Sequence, residues 1–250
     1  MPLEIRNDQP RFRPATLIEP PSRGYLHLSA EVEPSLGGPP FPRTSAAKRA
    51  LLDRLRTIAD GLEAVPDVDR ATVYRSVVTP PPSGYARTAA HPARFDVIVL
   101  VETSSGQAMN AVEMTDEYQQ LHKELASSSQ RLVTAPSRCI KCINDVDKSR
   151  AGVYLFNYFV VADRDKALEV WDHLAGWYMT ETNLDNSTVL EPVDDADYAF
   201  VNHANWPCGT ARLALRQVKP SFFSFVRANL DASQMGSMPI VCRRYTWPGQ

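Results

Sequence analysis

The stretch Val-Asn-His-Ala-Asn-Trp at 201–206 places polar and aromatic side chains in a segment that is otherwise rich in apolar residues. Alternate residues of a β-strand share a face, so Asn202 and Trp206 point one way and His203 points the other. A buried amide needs hydrogen-bond partners, which a pocket supplies through a ligand and a core supplies through backbone groups. We predict that Asn202 and Trp206 bind a substrate; the alternative is a structural amide and a core tryptophan.

Two side chains have the chemistry for proton transfer. His203 has an ordinary pKa close to neutral pH, which suits a general base. Tyr158 and its neighbour Asn157 lie on an earlier predicted strand, which a ferredoxin-like sheet order would place beside the strand of Asn202. The sequence therefore predicts His203 and Tyr158 as catalytic residues and Asn157 as a substrate-binding residue. For each of them, a purely structural role in the core or at a sheet edge is the alternative.

Aromatic residues on the helix between these strands complete the predicted site. Trp171 and Tyr178 are seven residues apart and share the apolar face, while Trp177 is offset from that face by one residue. An aromatic stripe at helical spacing is more often core than pocket. We include Trp177 and Tyr178 among the predicted substrate-binding residues, with core packing as the alternative.

Metal and redox motifs are weak in this chain. Its histidines form no HxxxH, HExxH or Cys/His array, and it has no GxGxxG, GxxxxGK[ST] or GxSxG motif, so we predict no metal and no cofactor. Cys139 and Cys142 form a CxxC motif on a predicted strand. Because residues i and i+3 of a regular strand project to opposite faces, we predict that these two thiols do not readily bridge or bind one metal.

The elements that position these residues follow one order twice. Apolar patterns predict strands at 24–33, 70–78, 95–103 and 138–144, with helices over about 45–64 and 104–125. They then predict strands at 153–161, 187–193, 198–206 and 238–245, with helices that begin near 163 and 210. Each half reads as βαββαβ, the ferredoxin-like motif.

The repeated order predicts an α+β fold in which two ferredoxin-like units pack sheet to sheet within one chain, as an intrachain dimeric α+β barrel. The predicted organisation is a proline-rich N-terminal arm at 1–23, a first unit at 24–148 and a second unit at 149–250. Two unrelated α+β domains are the alternative. A homo-oligomer stays open, since the arm has the composition to join subunits.

Residues 177–206 resemble the antibiotic-biosynthesis-monooxygenase-type domains of the dimeric α+β barrel superfamily. In that family a helix ends near a Tyr-Met pair, a Ser/Thr-Val-Leu strand follows, and then a strand of the type Val-Asn-x-Ala-x-Trp, as at 201–206. The glycine that the family has after the helix is replaced by Asn-Leu-Asp-Asn at 183–186. The resemblance implies a pocket between sheet and helices that is lined by the strand of Asn202 and Trp206.

The composition of the chain limits the classes of partner that it is expected to bind. Lys and Arg number 27 and Asp and Glu 29, so a net charge of −2 favours neither nucleic acid nor an anionic membrane as a partner. No run approaches the roughly 18 apolar residues of a membrane span, and the N-terminus lacks the apolar core of a secretory signal, which predicts a cytoplasmic protein. We predict a small-molecule pocket protein, a cofactor-independent oxygenase or isomerase for an aromatic or polyketide-like substrate. The alternatives are a non-catalytic ligand-binding or assembly protein of the same fold and, with less support, a haem-binding relative.

Overall fold

The computed structural model describes residues 4–34, 40–217 and 219–246, which form two consecutive βαββαβ units. The first unit comprises β1 (Gly24–Glu31), α1 (Ala46–Leu62), β2 (Val68–Val78), β3 (Val97–Thr103), α2 (Met109–Glu113), α3 (Asp116–Ser128) and β4 (Arg131–Asn144). The second comprises β5 (Val153–Val161), α4 (Arg164–Thr182), β6 (Ser187–Pro192), β7 (Phe200–Trp206), α5 (Thr210–Gln217), a π-helix (Phe222–Arg227), α6 (Ala228–Ala232) and β8 (Met235–Arg244). Within the described ranges, no helix combines the length and apolar character that crossing a membrane requires.

All eight of these strands form one closed antiparallel barrel in the order β1-β3-β2-β8-β5-β7-β6-β4. Each unit keeps the ferredoxin-like order, with its fourth strand beside its first and its third strand between its first and second. Two seams join the units, β2 with β8 and β4 with β6. The predicted tandem α+β barrel is confirmed.

The helix predicted over 104–125 is divided. A short 3₁₀ turn and α2 end at Glu113, and Thr115 then starts α3 by accepting a hydrogen bond from the backbone N–H of Tyr118. Two acidic residues follow Thr115 in the first turn of α3, which is a strong helix-start signal. The prediction of one continuous helix was wrong because the cap at Thr115 ends the first helical segment and starts a second one.

Strand β4 departs from a regular strand at the CxxC motif. Its register against β6 pairs Cys139 with Leu190 and Cys142 with Thr188, so three steps along β4 match two steps along β6. This extra residue is a β-bulge, and it turns both cysteines toward the barrel interior. The prediction that the two thiols lie on opposite faces was wrong, because the alternation rule holds only for unbulged strands.

The strands separate two environments. The barrel interior is filled largely by aromatic and aliphatic side chains, among them Tyr25, Phe95, Phe156 and Ile240. The outer face of the first unit packs aliphatic residues against α1 and α3. The outer face of the second unit packs tryptophan and phenylalanine side chains against α4 and the π-helix. Side-chain alternation along β7 therefore places His203 inside the barrel and Asn202 under the helices.

The N-terminal arm packs on the second unit. Phe12 is fully buried and its ring lies 5.0 Å from that of Phe225. The backbone N–H of Ala15 donates to the carbonyl of Asp172 on α4 at 2.9 Å. Gly176 of α4 lies directly beneath the arm, since a Cβ at that position would be 1.8 Å from the carbonyl oxygen of Arg13. The arm thus completes the helix layer above this half of the barrel.

Candidate active site

A cavity of about 350 Å³ lies between the outer face of the second sheet and the helices that cover it. Strands β5 to β8 form its floor, while α4, α5, the π-helix and α6 form its walls. The predicted site residues Asn157, Tyr178, Asn202 and Trp206 all line it. Four of the seven predicted site residues therefore meet in one space.

Asn202 is held by a network that fixes the orientation of its amide. Its Oδ1 accepts a hydrogen bond from Nε1 of Trp171 at 3.2 Å and from Oγ of Ser187 at 2.6 Å. Because an indole N–H can only donate, the atom facing Trp171 has to be the amide oxygen. The Nδ2 group of Asn202 has no hydrogen-bond partner in the described part of the chain. Two N–H donors are therefore available to a ligand in the cavity.

Asn157 provides a second amide at the same level of the sheet. It is paired directly with Asn202 across β5 and β7, and it faces the same side. Its Oδ1 accepts from Oγ of Ser237 at 2.9 Å, and its Nδ2 has no partner among the described residues. Side chains of directly paired residues are only about 5 Å apart at Cβ. The floor of the cavity thus carries two neighbouring amides whose oxygens are engaged and whose nitrogens are not.

Flat aromatic side chains form much of the wall. The indole of Trp206 is fixed by a 2.9 Å hydrogen bond from its Nε1 to Oγ1 of Thr182, and its ring lies 6.3 Å from that of Tyr178. The π-helix adds Phe222 and Phe223, the second of which is 52% exposed and stands at the opening. π-Helical turns are rare and are often found at functional sites. Sequence analysis missed this segment because nothing in its composition distinguishes a π-turn from an α-turn.

One edge of the cavity comes from the first unit. Pro80, Pro81 and Ser83, in the segment after β2, line the cavity beside β8. Ser83 is bound to Ser237 by a reciprocal pair of backbone hydrogen bonds of 2.9 and 3.2 Å. Sequence analysis ended the predicted strand at 78 and assigned residues 80–83 no part in the site. The site is therefore built from both units.

Among the described residues, the cavity lining carries positive charge and no negative charge. Arg227 at the end of the π-helix lines it, and this side chain forms no ion pair or hydrogen bond with any residue in the described part of the chain. No Asp, Glu, His or Lys is among the described residues that line the cavity. Burial raises the pKa of Tyr178 above its ordinary value, so its hydroxyl stays protonated at neutral pH. The site offers positive charge and N–H donors, but it has no side chain that is a good base at neutral pH.

The remaining predicted site residues lie elsewhere. His203 and Tyr158 are inside the barrel, on the other face of the sheet from the cavity. Tyr158 contacts Oγ of Ser29 at 2.8 Å and Nε2 of His27 at 3.2 Å. Trp177 is fully buried and donates to Oγ of Ser221 at 3.2 Å, but it does not line the cavity.

Both interior histidines are kept neutral. Nδ1 of His203 donates to the carbonyl of Leu155 at 3.1 Å, and its ring stacks on Phe156 at 4.2 Å. Burial lowers the pKa of His203 well below its ordinary value, and the nearby Lys148 ammonium lowers it further. Burial also lowers the pKa of His27 to about 3. These values make both side chains weak bases.

Among the described residues, the cavity lining offers few ligands for a metal ion or for haem iron. In the described ranges, no group of three or more His, Cys, Asp and Glu side chains is placed to hold a metal ion. Protein ligands to haem iron are typically His, Cys, Met or Tyr. Tyr178 is the one residue of these types among the described residues that line the cavity.

Known proteins share this architecture at low sequence identity. No model of a protein family matches the chain, and no curated protein matches it significantly. An anthrone oxidase-like protein superimposes with a TM-score of 0.60 at 10% identity, over 92% of this chain and 96% of that chain. A provisionally named monooxygenase of Fusobacterium nucleatum subsp. nucleatum superimposes with a TM-score of 0.59 at 5% identity, over 90% and 94% of the two chains. The chain therefore has the ferredoxin-like, dimeric α+β barrel fold that these two proteins share.

Proposed function

We propose that the cavity of the second unit binds a flat aromatic molecule that carries a carbonyl or phenolic oxygen, as in aromatic polyketides. The observation that carries this proposal is the hydrogen-bond network of Asn202. Trp171 and Ser187 both occupy its oxygen, which leaves its amide N–H groups for a ligand oxygen in an aromatic cavity. Asn157 adds a second such amide, and Trp206 supplies a face on which a ring can stack.

As an enzyme, this site would act by stabilising an anion. A CH₂ group that lies between aryl rings and opposite a ketone loses a proton to give an enolate, whose charge rests on the ketone oxygen. The amides of Asn202 and Asn157 and the charge of Arg227 would stabilise that oxygen. Since no good base is among the described residues of the cavity, the proton would pass to water, and the substrate has to be acidic in its own right.

The enolate then supplies electrons to dioxygen. One oxygen atom of O₂ becomes the new ketone oxygen on the former CH₂ carbon. The other oxygen atom leaves as water with the two hydrogens that this carbon has lost. The chemistry needs no further electron donor, because the substrate itself is the reductant. The structure of the anthrone oxidase-like protein, similar in fold, supports the choice of this substrate class for the first assay.

The first experiment uses 1,8-dihydroxyanthrone. Binding is followed by quenching of the fluorescence of the cavity tryptophans, and turnover by oxygen uptake together with mass spectrometry of the quinone product. We expect saturable binding with one ligand per chain and oxygen uptake above the spontaneous rate. Binding without uptake would support the non-catalytic alternative, and the absence of both would refute the proposal for this ligand class. A Soret band in the purified protein would point to the haem-binding alternative.

The decisive variant is Asn202→Asp, because it preserves the shape and the acceptor for Trp171 while it replaces the N–H donors by oxygen. Loss of a hydrogen bond to a charged ligand group costs about 1.5–3 kcal/mol, which is roughly a 10- to 150-fold weaker affinity. Asn110→Asp, on the exposed side of α2, is the matched control and should bind as the wild type does. Asn202→Ala is the second variant: we expect it to remain folded and to lose binding. Equal affinity in all four proteins would refute the role of Asn202.

A further inference from the structure

The CxxC motif of β4 is brought together by the bulge described above. Cys139 lies opposite Leu190 and Cys142 lies opposite Thr188. Residues i and i+2 of a strand share a face and are about 6.6 Å apart at Cα. Disulfide-bonded cysteines have Cα separations of about 4.4–6.8 Å. Measured along β6, the two cysteines stand two steps apart, which corresponds to about 6.6 Å, whereas three steps of a regular strand correspond to about 10 Å; the register is therefore compatible with a disulfide.

The two side chains occupy one environment. Both pack in the interior cluster with Leu190. Cys142 is fully buried, whereas Cys139 is 8% exposed and its thiol donates to the carbonyl of Lys141 at 3.3 Å. The arm holds the bulge from outside, since the N–H of Ile18 donates to the carbonyl of Cys142 at 2.8 Å. Strands β4 and β6 and the N-terminal arm thus fix the backbone of the bulge.

We propose that Cys139 and Cys142 form a redox-active dithiol that small peroxides oxidise to an intrachain disulfide in the folded protein. This site is separate from the ligand cavity, which is on the opposite face of the second sheet. The proposal stands on the register of the bulge and on the shared interior environment of the two thiols.

The electrostatics give the two sulfurs different roles. Interaction with the side chain of Cys139 lowers the pKa of Cys142, and the nearby charges of Lys148 and Arg23 act in the same direction. The same interaction, with burial, raises the pKa of Cys139. The opposite directions of the two pKa shifts favour a pair of one thiolate and one thiol, which is the combination from which a disulfide forms. Cys242 is a poor competitor, because burial raises its pKa and it has no cysteine opposite it.

The oxidation balances with hydrogen peroxide as the oxidant. The Cys142 thiolate attacks one peroxide oxygen, forms a sulfenic acid and releases hydroxide, which takes up a proton to become water. The Cys139 sulfur then attacks the Cys142 sulfur; the S–O bond breaks, and the oxygen leaves as water with the proton of Cys139. Two thiols and one peroxide become one disulfide and two waters.

Lys141 makes the test direct, since trypsin cleaves between the two cysteines. Cleavage after Arg138, Lys141 and Lys148 yields the peptides 139–141 and 142–148. The full-length chain with Cys208→Ser, which removes the most accessible other thiol, is treated with a modest excess of hydrogen peroxide. Free thiols are then blocked with N-ethylmaleimide, and the chain is digested without reductant. We expect the two peptides to run as one linked species about 2 Da lighter than their sum.

The controls separate this reaction from unspecific oxidation. Cys142→Ser in the same background should give no linked species, and peroxide-treated protein should return to two separate peptides after dithiothreitol. The same treatment of the urea-unfolded chain shows that the chemistry and the digest work. Two separate, blocked peptides from the folded protein, beside a linked species from the unfolded one, would overturn the proposal. This result stands on the Cys208→Ser protein alone, whether or not Cys142→Ser folds.

Discussion

Gly176→Ala tests how firmly the N-terminal arm is bound to the second unit. In an unobstructed helix, alanine is more favourable than glycine by about 1 kcal/mol. At Gly176, however, the new Cβ would lie 1.8 Å from the carbonyl oxygen of Arg13, so the arm has to move by more than 1 Å. That movement disturbs the buried ring of Phe12 and the hydrogen bond from Ala15 to Asp172.

The magnitude follows from these contacts. Loss of a buried phenylalanine side chain costs about 3–5 kcal/mol, and each backbone hydrogen bond adds about 1 kcal/mol. Set against the gain in helix propensity, we expect Gly176→Ala to lower the free energy of unfolding by roughly 2–5 kcal/mol. Since 1 kcal/mol corresponds to about 2–4 °C for a chain of this size, Tm should fall by roughly 5–15 °C.

Gly61→Ala is the matched control. Gly61 lies in the last turn of α1 and has nothing within 4 Å of the position where a Cβ would stand. The same substitution there should raise the free energy of unfolding by about 0.5–1 kcal/mol. Urea unfolding measures both values, and limited proteolysis should cut the arm of the Gly176→Ala protein first. If both variants are stabilised alike and the arm stays protected, the arm does not pack as described.

Three further predictions concern Phe12, Trp171 and the two interior histidines. Phe12→Ala should destabilise the protein by about 3–5 kcal/mol in urea unfolding and weaken ligand binding, since Phe12 supports the π-helix through Phe225; unchanged affinity would show that the two regions are uncoupled. Trp171→Phe should weaken ligand binding about 5- to 10-fold in fluorescence titration, because the amide of Asn202 loses the donor that orients it, and an unchanged Kd would refute that role. His27 and His203 stay neutral in the folded barrel between pH 6.5 and 3, whereas the unfolded chain protonates its histidines in this range. The free energy of unfolding should therefore fall as pH falls, by up to about 1.4 kcal/mol per pH unit for each of these two residues. His203→Phe should flatten that slope in urea unfolding at several pH values while ligand binding persists; an unchanged slope would contradict the assignment.

The fold was accessible from the sequence because its signals are local. The strand at 201–206 could be recognised from six residues, and side-chain alternation correctly separated Asn202 from His203. The sequence did not show which face of the sheet holds a cavity, and for that reason both residues entered the predicted site. That Asn202 binds a substrate stays a prediction. The structure adds that Asn202 lines a cavity and that Trp171 and Ser187 donate to its amide oxygen.

The features that the sequence did not reveal depend on distant contacts. The bulge at Cys139 exists only in the register between β4 and β6, and no pattern within β4 itself encodes it. The contribution of residues 80–83 to the cavity requires the seam between β2 and β8. Arg227 is the last residue of a π-helical segment, and the extra residue of a π-turn rotates the side chains that follow relative to their positions in an α-helix. Its place in the cavity lining could not be predicted because the sequence does not reveal the π-turn.

The seam between β2 and β8 has a consequence for how the chain is made. Its partners are about 165 residues apart, so at a synthesis rate of about 5–20 residues per second the edge of β2 waits roughly 10–30 s for its neighbour. An unpaired strand edge is a template for aggregation during that interval. The prolines at 80–82, which have no N–H to donate, stand directly beyond the end of this edge. They limit how far a stray strand can pair past Val78, whereas the edge within β2 itself stays open until β8 has been made and pairs with it.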